Sequence, residues 1–154
     1  MRVVVQRVRK AVVRIGETHE RRIDLGLVVL AAAAKTDEFA DADYLADKLA
    51  NLRIMDLDGR MQQSVLDVGG SVMLVPQFTL YADTRKGRRP SFSASANPQD
   101  ALPLLDRLGT MLRNVGLDVV SGEFGAHMIV ELENDGPVTI ILDSDDRHRP
   151  RRDS

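Results

Sequence analysis

Apolar and polar positions change their rhythm several times along the chain, and each rhythm specifies an element. "MRVVVQRV" (Met1–Val8) is β-branched and nearly continuous, which reads as a strand; "AVVRIG" resumes it after Arg9-Lys10, with Gly16 as a turn. "THERRIDLGLVVLAAA" reads as a hairpin, a polar strand turning near Leu25-Gly26 into an apolar one. From Glu38 to Asn51 the period lengthens. Ala42, Leu45, Ala46 and Leu49 fall at i, i+3, i+4 and i+7 with Asp41, Asp43, Asp47 and Lys48 outside, an amphipathic helix. "LRIM" is a short strand and "DLDG" a turn ending at Gly59. "SVMLVPQFTLYA" is a further strand interrupted by Pro76, along which Gln77 and Thr79 alternate with Phe78 and Leu80 and share a face.

A second helix follows, with Asn97 as N-cap, Pro98 at its first position and Gly116 as its stop. Leu104, Leu105, Leu108, Met111, Leu112 and Val115 form its core stripe. "LDVVSGEF" and "HMIVELENDGPVTIIL" supply the last strands, the final two joined by a hairpin at Asn134–Gly136. "DSDDRHRPRRDS" is polar and reads as a disordered tail. The order is strands, helix, strands, helix, strands. The expected fold is mixed α/β, a compact, largely antiparallel, barrel-like core with two main helices over residues 1–144, followed by a tail at 145–154.

At 154 residues the chain is one domain, or at most two tightly fused halves. It has no cysteine, which excludes disulfides, thiolate zinc sites and a thiol nucleophile and fits a reducing compartment. The start lacks the pattern of a signal peptide, and no apolar run approaches the ~18 residues of a membrane span. A cytoplasmic protein without a membrane role is expected. Net charge is -2, so any nucleic-acid contact must use local patches. Arg85, Lys86, Arg88 and Arg89 form one, and Arg147, Arg149, Arg151 and Arg152 another.

Phosphate-loop, dinucleotide and nucleophile-elbow motifs are missing. His19, His127 and His148 are far apart, and Asp143, Asp145 and Asp146 read as a solvated strand end, so neither a metal nor a cofactor is indicated. Two segments carry the candidate chemistry. "VPQFTLYADTRKGRRPSF" joins an apolar strand to a basic loop; its plain alternative is an edge strand with a solvated loop. "SGEFGAHMIVELENDGPVTIILDS" carries Gly136-Pro137 at the mouth of a β-branched run; its plain alternative is a simple hairpin.

Together, "QFTL" and "NDGPVT", with "MRVVVQRV", "ADYLADKLANLRIM", "LDVGG" and "DTRKGRRPSF" in order between Met1 and about Ser144, resemble the D-aminoacyl-tRNA deacylase family. The resemblance implies a homodimer with two sites at its interface. Gln77, Phe78 and Thr79 of one subunit would face Gly136 and Pro137 of the other, joined by a cis peptide whose carbonyls hold the substrate ammonium. Phe124 and Met128 match positions around the terminal adenosine, and Arg7 matches a residue that holds the Gly-Pro loop. The implied activity is hydrolysis of D-aminoacyl-tRNA, and of glycyl-tRNA, since glycine has no side chain for the site to exclude. Thr79 would support catalysis led by the main chain, and Arg85, Lys86, Arg88 and Arg89 would contact tRNA phosphates. One departure is Pro76, where the family usually has Ser; it removes a hydroxyl and a backbone N–H. The alternatives are a non-catalytic tRNA-binding dimer, or a trans Gly-Pro deacylase acting on mischarged L-alanyl-tRNA.

Overall fold

The computed structural model describes residues 1–149. Strands β1 (Arg2–Ile15), β2 (His19–Ile23) and β3 (Gly26–Ala32) precede helix α1 (Phe39–Asn51). Strands β4 (Met55–Leu57), β5 (Arg60–Gln63) and β6 (Ser71–Pro76) lead to a 3₁₀ turn at Phe78–Tyr81, then helix α2 (Pro98–Asn114). Strands β7 (Asp118–Ser121) and β8 (Met128–Asp143) and a 3₁₀ turn at Ser144–His148 follow.

β1 organises the sheet. One of its edges pairs with β8 from Arg2 opposite Asp143 to Ile15 opposite Met128, so β2 and β3 must share the other edge. Their register agrees: Ile23 lies opposite Ala11 and Gly26 opposite Val8, so the two strands are halves of one arm. The expected hairpin at Leu25-Gly26 is therefore absent, and the chain turns instead at Gly16, with φ +61°. Gly26 serves a different need. A Cβ there would sit 1.9 Å from the Ser71 carbonyl oxygen, so glycine lets β3 approach the entry of β6.

β3, β6 and β7 pair in parallel, which α1 and α2 permit as crossovers between them. The result is a mixed, nearly closed, barrel-like sheet, antiparallel around β1 and parallel beyond β3. β6 shows why its run is continuously apolar. Val72 and Leu74 enter the core shared with the helices, while Met73 and Val75 enter a second cluster with Val8, Val13 and Ile15. The helices dock through Leu45, Leu49, Leu105, Leu108 and Leu112.

Both helices begin as their sequences specify. Asp41 and Glu38 form a capping box on α1, and the Asn97 side chain accepts from the Asp100 N–H on α2. Val115 departs from the expected core stripe: it caps α2 and is 48% exposed. The tail expected from residue 145 begins with a 3₁₀ turn at Ser144–His148 that packs on α1. Ser144 is wholly buried, and Arg147 pairs with Asp41 of α1 at 3.3 Å. Arg151 and Arg152 lie outside the described residues.

The largest correction concerns "NDGP". Instead of two strands and a hairpin, β8 runs unbroken for 16 residues. Val8 lies opposite Asn134 and Gln6 opposite Thr139, so the four residues Asp135–Val138 bulge opposite Arg7 alone. A 14-residue β1 offers a partner along the whole length, and this outweighs the local turn preference of Asn-Asp-Gly.

Candidate active site

The parallel strands end at one rim, where ligands of α/β sheets commonly bind. β7 ends at Ser121, beyond which the Gly122 N–H still donates to the Leu74 carbonyl at 2.8 Å. Backbone groups alternate sides along β6, so position 76 points its nitrogen toward the side β7 has already left. Proline is tolerated there because no ladder bond is lost. The last bond runs the other way, from the Gln77 N–H to the Ala31 carbonyl at 2.8 Å.

With neither neighbour continuing, Phe78–Tyr81 winds into a 3₁₀ turn rather than the expected strand. Gln77 and Thr79 do not alternate on a sheet face. Instead the Gln77 Nε2 donates to the Thr79 Oγ1. The N–H groups of Phe78 and Thr79, at the start of the turn, have no hydrogen-bond acceptor among the described residues. Arg2 fastens the turn from behind. Its guanidinium donates to the Leu80 carbonyl at 3.3 Å, pairs with Asp143 at 2.8 Å and lies 5.0 Å over the Tyr81 ring. Burial, with help from Asp37 and Asp143, pushes the Tyr81 hydroxyl pKa up, so it stays protonated.

Beside the turn opens a cavity of about 620 Å³. Gln77, Phe78, Phe124 and Met128, all expected at the site, line it with Pro76. Phe92 and Ser95, which the sequence reading did not single out, line it too. The Phe92 ring meets Phe78 edge-on at 5.1 Å between centroids, a contact worth about 0.5–1.5 kcal/mol. The signal was present in "RRPSF": an aromatic residue just past the basic loop. Thr79 is exposed and is not among the lining residues. Met128 is drawn in by its sulfur, which accepts from the Glu123 N–H at 3.3 Å, and Gly122 makes room for it.

The basic loop connects Phe78 and Phe92. Asp83 and Ser91 close its base by reciprocal backbone bonds of 2.7 and 2.9 Å. Arg85 turns back to pair with Asp83 at 2.7 Å, and its side chain, then its backbone N–H, hold the Asp83 carboxyl pKa down at about 2. Lys86, Arg88 and Arg89 are exposed.

Arg7 and the Gly136-Pro137 bulge are brought together, as the sequence reading expected. The buried Arg7 guanidinium donates to the Asp135 carbonyl at 2.9 Å and to the Ile54 carbonyl at 2.6 Å. Gly136 has φ +88°, and a Cβ there would lie 2.6 Å from Arg7 Nη2. Gly136 and Pro137 do not line the cavity of their own chain. The expected cis bond is not found: no peptide among the described residues is cis.

Residues 4–143 match the model of the family described as D-Tyr-tRNA(Tyr) deacylase. The chain belongs to that family. Among deacylase relatives, a D-aminoacyl-tRNA deacylase of Thermus aquaticus is 51% identical over 96% of this chain and 97% of its own length. Its counterpart in Roseiflexus sp. (strain RS-1) is 52% identical over 98% of each chain. Two solved structures share the deacylase fold. One, a c-Myc DNA unwinding element binding protein, is 32% identical with a TM-score of 0.85, covering 93% of this chain and 98% of its own. The other, a probable eukaryotic D-amino acid tRNA deacylase, is 18% identical with a TM-score of 0.82, covering 92% and 98%.

Proposed function

We propose that this chain is a hydrolase that cleaves the ester joining a D-amino acid to the 3′-terminal ribose of tRNA, a chiral proofreading step of translation in the cytoplasm. Family membership supports the reaction. The observation that carries the site is the cavity at the end of β6, where Gln77, Phe78, Phe124 and Met128 gather beside two unpaired N–H groups.

Water attacks the ester carbonyl carbon, the bond to the ribose oxygen breaks, and that oxygen takes up a proton. The products are the free amino acid and tRNA. The Phe78 and Thr79 N–H groups, free of other acceptors among the described residues, hold the oxyanion that develops in this reading; one such donor is typically worth ~10²–10³ in rate. The substrate's neighbouring ribose hydroxyl orients the attacking water. Thr79 supports the geometry through Gln77. Gly136 and Pro137 reach the site from a second copy of the chain, and Lys86, Arg88 and Arg89, with Arg85, meet tRNA phosphates. Selection works by excluding an L side chain, so glycine passes.

A second reading has its own support. The trans Gly136-Pro137 bond fits a deacylase that removes L-alanine from mischarged tRNA. One experiment separates the readings: purified protein is incubated with D-tyrosyl-, L-tyrosyl-, glycyl- and L-alanyl-tRNA, and loss of each ester is followed. Cleavage of the D-tyrosyl and glycyl esters alone supports the first reading. Preference for L-alanyl-tRNA supports the second, and binding without cleavage leaves a non-catalytic tRNA-binding dimer.

A further inference from the structure

Aromatic and aliphatic side chains dominate the cavity wall beside Phe78, and its polar groups are few. The Gln77 amide already engages Thr79, and the His127 imidazole belongs to an exposed residue. Ser95 differs from both. It is only 8% exposed, and its hydroxyl has no hydrogen-bond partner among the described residues. Its oxygen is nonetheless not sealed in, because among these residues the fully buried side-chain atom without a hydrogen-bond partner is Arg147 Nε, which has only its ion pair with Asp41. The remaining surface of Ser95 Oγ opens into the cavity that the residue lines.

The backbone holds this hydroxyl in place. The Ser95 N–H donates to the Phe92 carbonyl at 3.0 Å. On either side, the Ala96 N–H donates to the Ala33 carbonyl at 2.9 Å and the Lys35 N–H to the Ala94 carbonyl at 3.3 Å. A hydroxyl that opens into the cavity without a protein partner is free to exchange water for a polar group of a ligand. Phe78, Phe92, Phe124 and Met128 give the cavity surfaces for a flat π system, on which a nucleobase stacks. A serine hydroxyl both donates and accepts, which suits the mixed edge of a purine.

Building on the proposed reaction, we propose that Ser95 hydrogen-bonds the edge of the terminal adenine of tRNA and so sets how tightly the substrate is held. It is a binding residue and takes no part in bond cleavage. The test measures two quantities: binding of adenosine 5′-monophosphate by NMR titration, and KM and kcat for D-tyrosyl-tRNA. Ser95→Ala leaves the melting temperature unchanged, since the hydroxyl has no protein partner to forfeit. It weakens nucleotide binding and raises KM, each roughly three- to tenfold, with kcat unchanged.

Ser95→Thr and Ser95→Val add the same bulk, and only Thr keeps the hydroxyl; Thr binds the nucleotide more tightly than Val. Equal nucleotide affinity for wild type and Ser95→Ala, or for Thr and Val, overturns the proposal, as does a wild-type protein that does not bind the nucleotide. A wild type that binds the nucleotide but leaves the D-tyrosyl ester intact overturns the reaction instead, and the binding comparison still decides Ser95.

Discussion

Arg7 ties β8 and the segment that leads into β4 to β1 through one side chain. It is 7% exposed and satisfies the carbonyls of Ile54 and Asp135 while its charge faces the Asp135 carboxylate at 3.5 Å. Arg7→Ala leaves two carbonyls short of a donor, and a loss of about 2–4 kcal/mol is expected in urea denaturation. Gly136→Ala attacks the same contact from the other side. At φ +88° an L residue is strained, and its Cβ displaces a guanidinium too well bonded to move cheaply. It is expected to lower kcat/KM more than Arg7→Lys, which keeps a cation but not the fork. Thr79→Ala has the opposite expectation. The hydroxyl is exposed and touches only Gln77, so single-turnover hydrolysis of D-tyrosyl-tRNA slows by less than about tenfold. Loss of all turnover with folding and tRNA binding intact makes Thr79 the nucleophile and replaces main-chain catalysis.

The loop between Phe78 and Phe92 is held at its base and charged at its tip. Neutralising Arg88 and Arg89 together should raise KM for D-tyrosyl-tRNA. It should also flatten the dependence of log KM on log salt by nearly one unit for each phosphate the loop ceases to neutralise. An unchanged slope makes the loop a solvated ornament. The turn at Ser144–His148 gives a pH prediction. Burial pushes the Asp41 carboxyl pKa up, but the Glu38 N–H, the Ser144 hydroxyl, the Met1 ammonium and Arg147 outweigh it, and the net shift is downward. A lowered carboxyl pKa stabilises the fold above the unfolded value, near 4, and that stability is lost as pH falls through the folded one. Urea midpoints of wild type and Asp41→Asn should therefore differ at pH 7 and draw together as pH falls below about 4.

Legibility followed the range of the interaction. Both helices were readable because caps and stripes are local: Glu38, Asn97 and Pro98 announced their starts. The two hairpins at Leu25-Gly26 and Asn134–Gly136 were misread because both stretches pair with β1, Gly26 and Asn134 each lying opposite Val8, and not across a turn of their own. Gly26 and Gly136 look like turn glycines and are instead places where another group comes close. At the site, Gln77, Phe78, Phe124 and Met128 were legible through the family resemblance, whereas Phe92 and Ser95 join them through the folding back of the loop.

At the scale of the whole molecule, β8 leaves a face unexplained by one chain. Among the described residues it pairs only with β1, so the outer edge of this 16-residue strand carries unused backbone groups there. Ile129 is 53% and Ile141 67% exposed along it, and on the side of the strand opposite Ile141, Ile140 and Leu142, with Val138, are only partly covered by the core. A second copy docked along this edge would cover them and bring Gly136 and Pro137 to a neighbour's cavity. Ile141→Asp is then expected to give monomers in sedimentation equilibrium and to abolish hydrolysis while leaving the fold intact. Mixing two inactive variants gives a sharper result. Phe78→Ala spoils the cavity, and replacing Gly136-Pro137 with Ala-Ala spoils the reaching segment. If each site takes one part from each chain, a heterodimer holds one site with both parts spoiled and one with both intact. Random re-association makes half the dimers heterodimers, so about a quarter of wild-type activity returns. If each site is built within one chain, mixing restores nothing, and the bulge that Arg7 holds serves β8 alone.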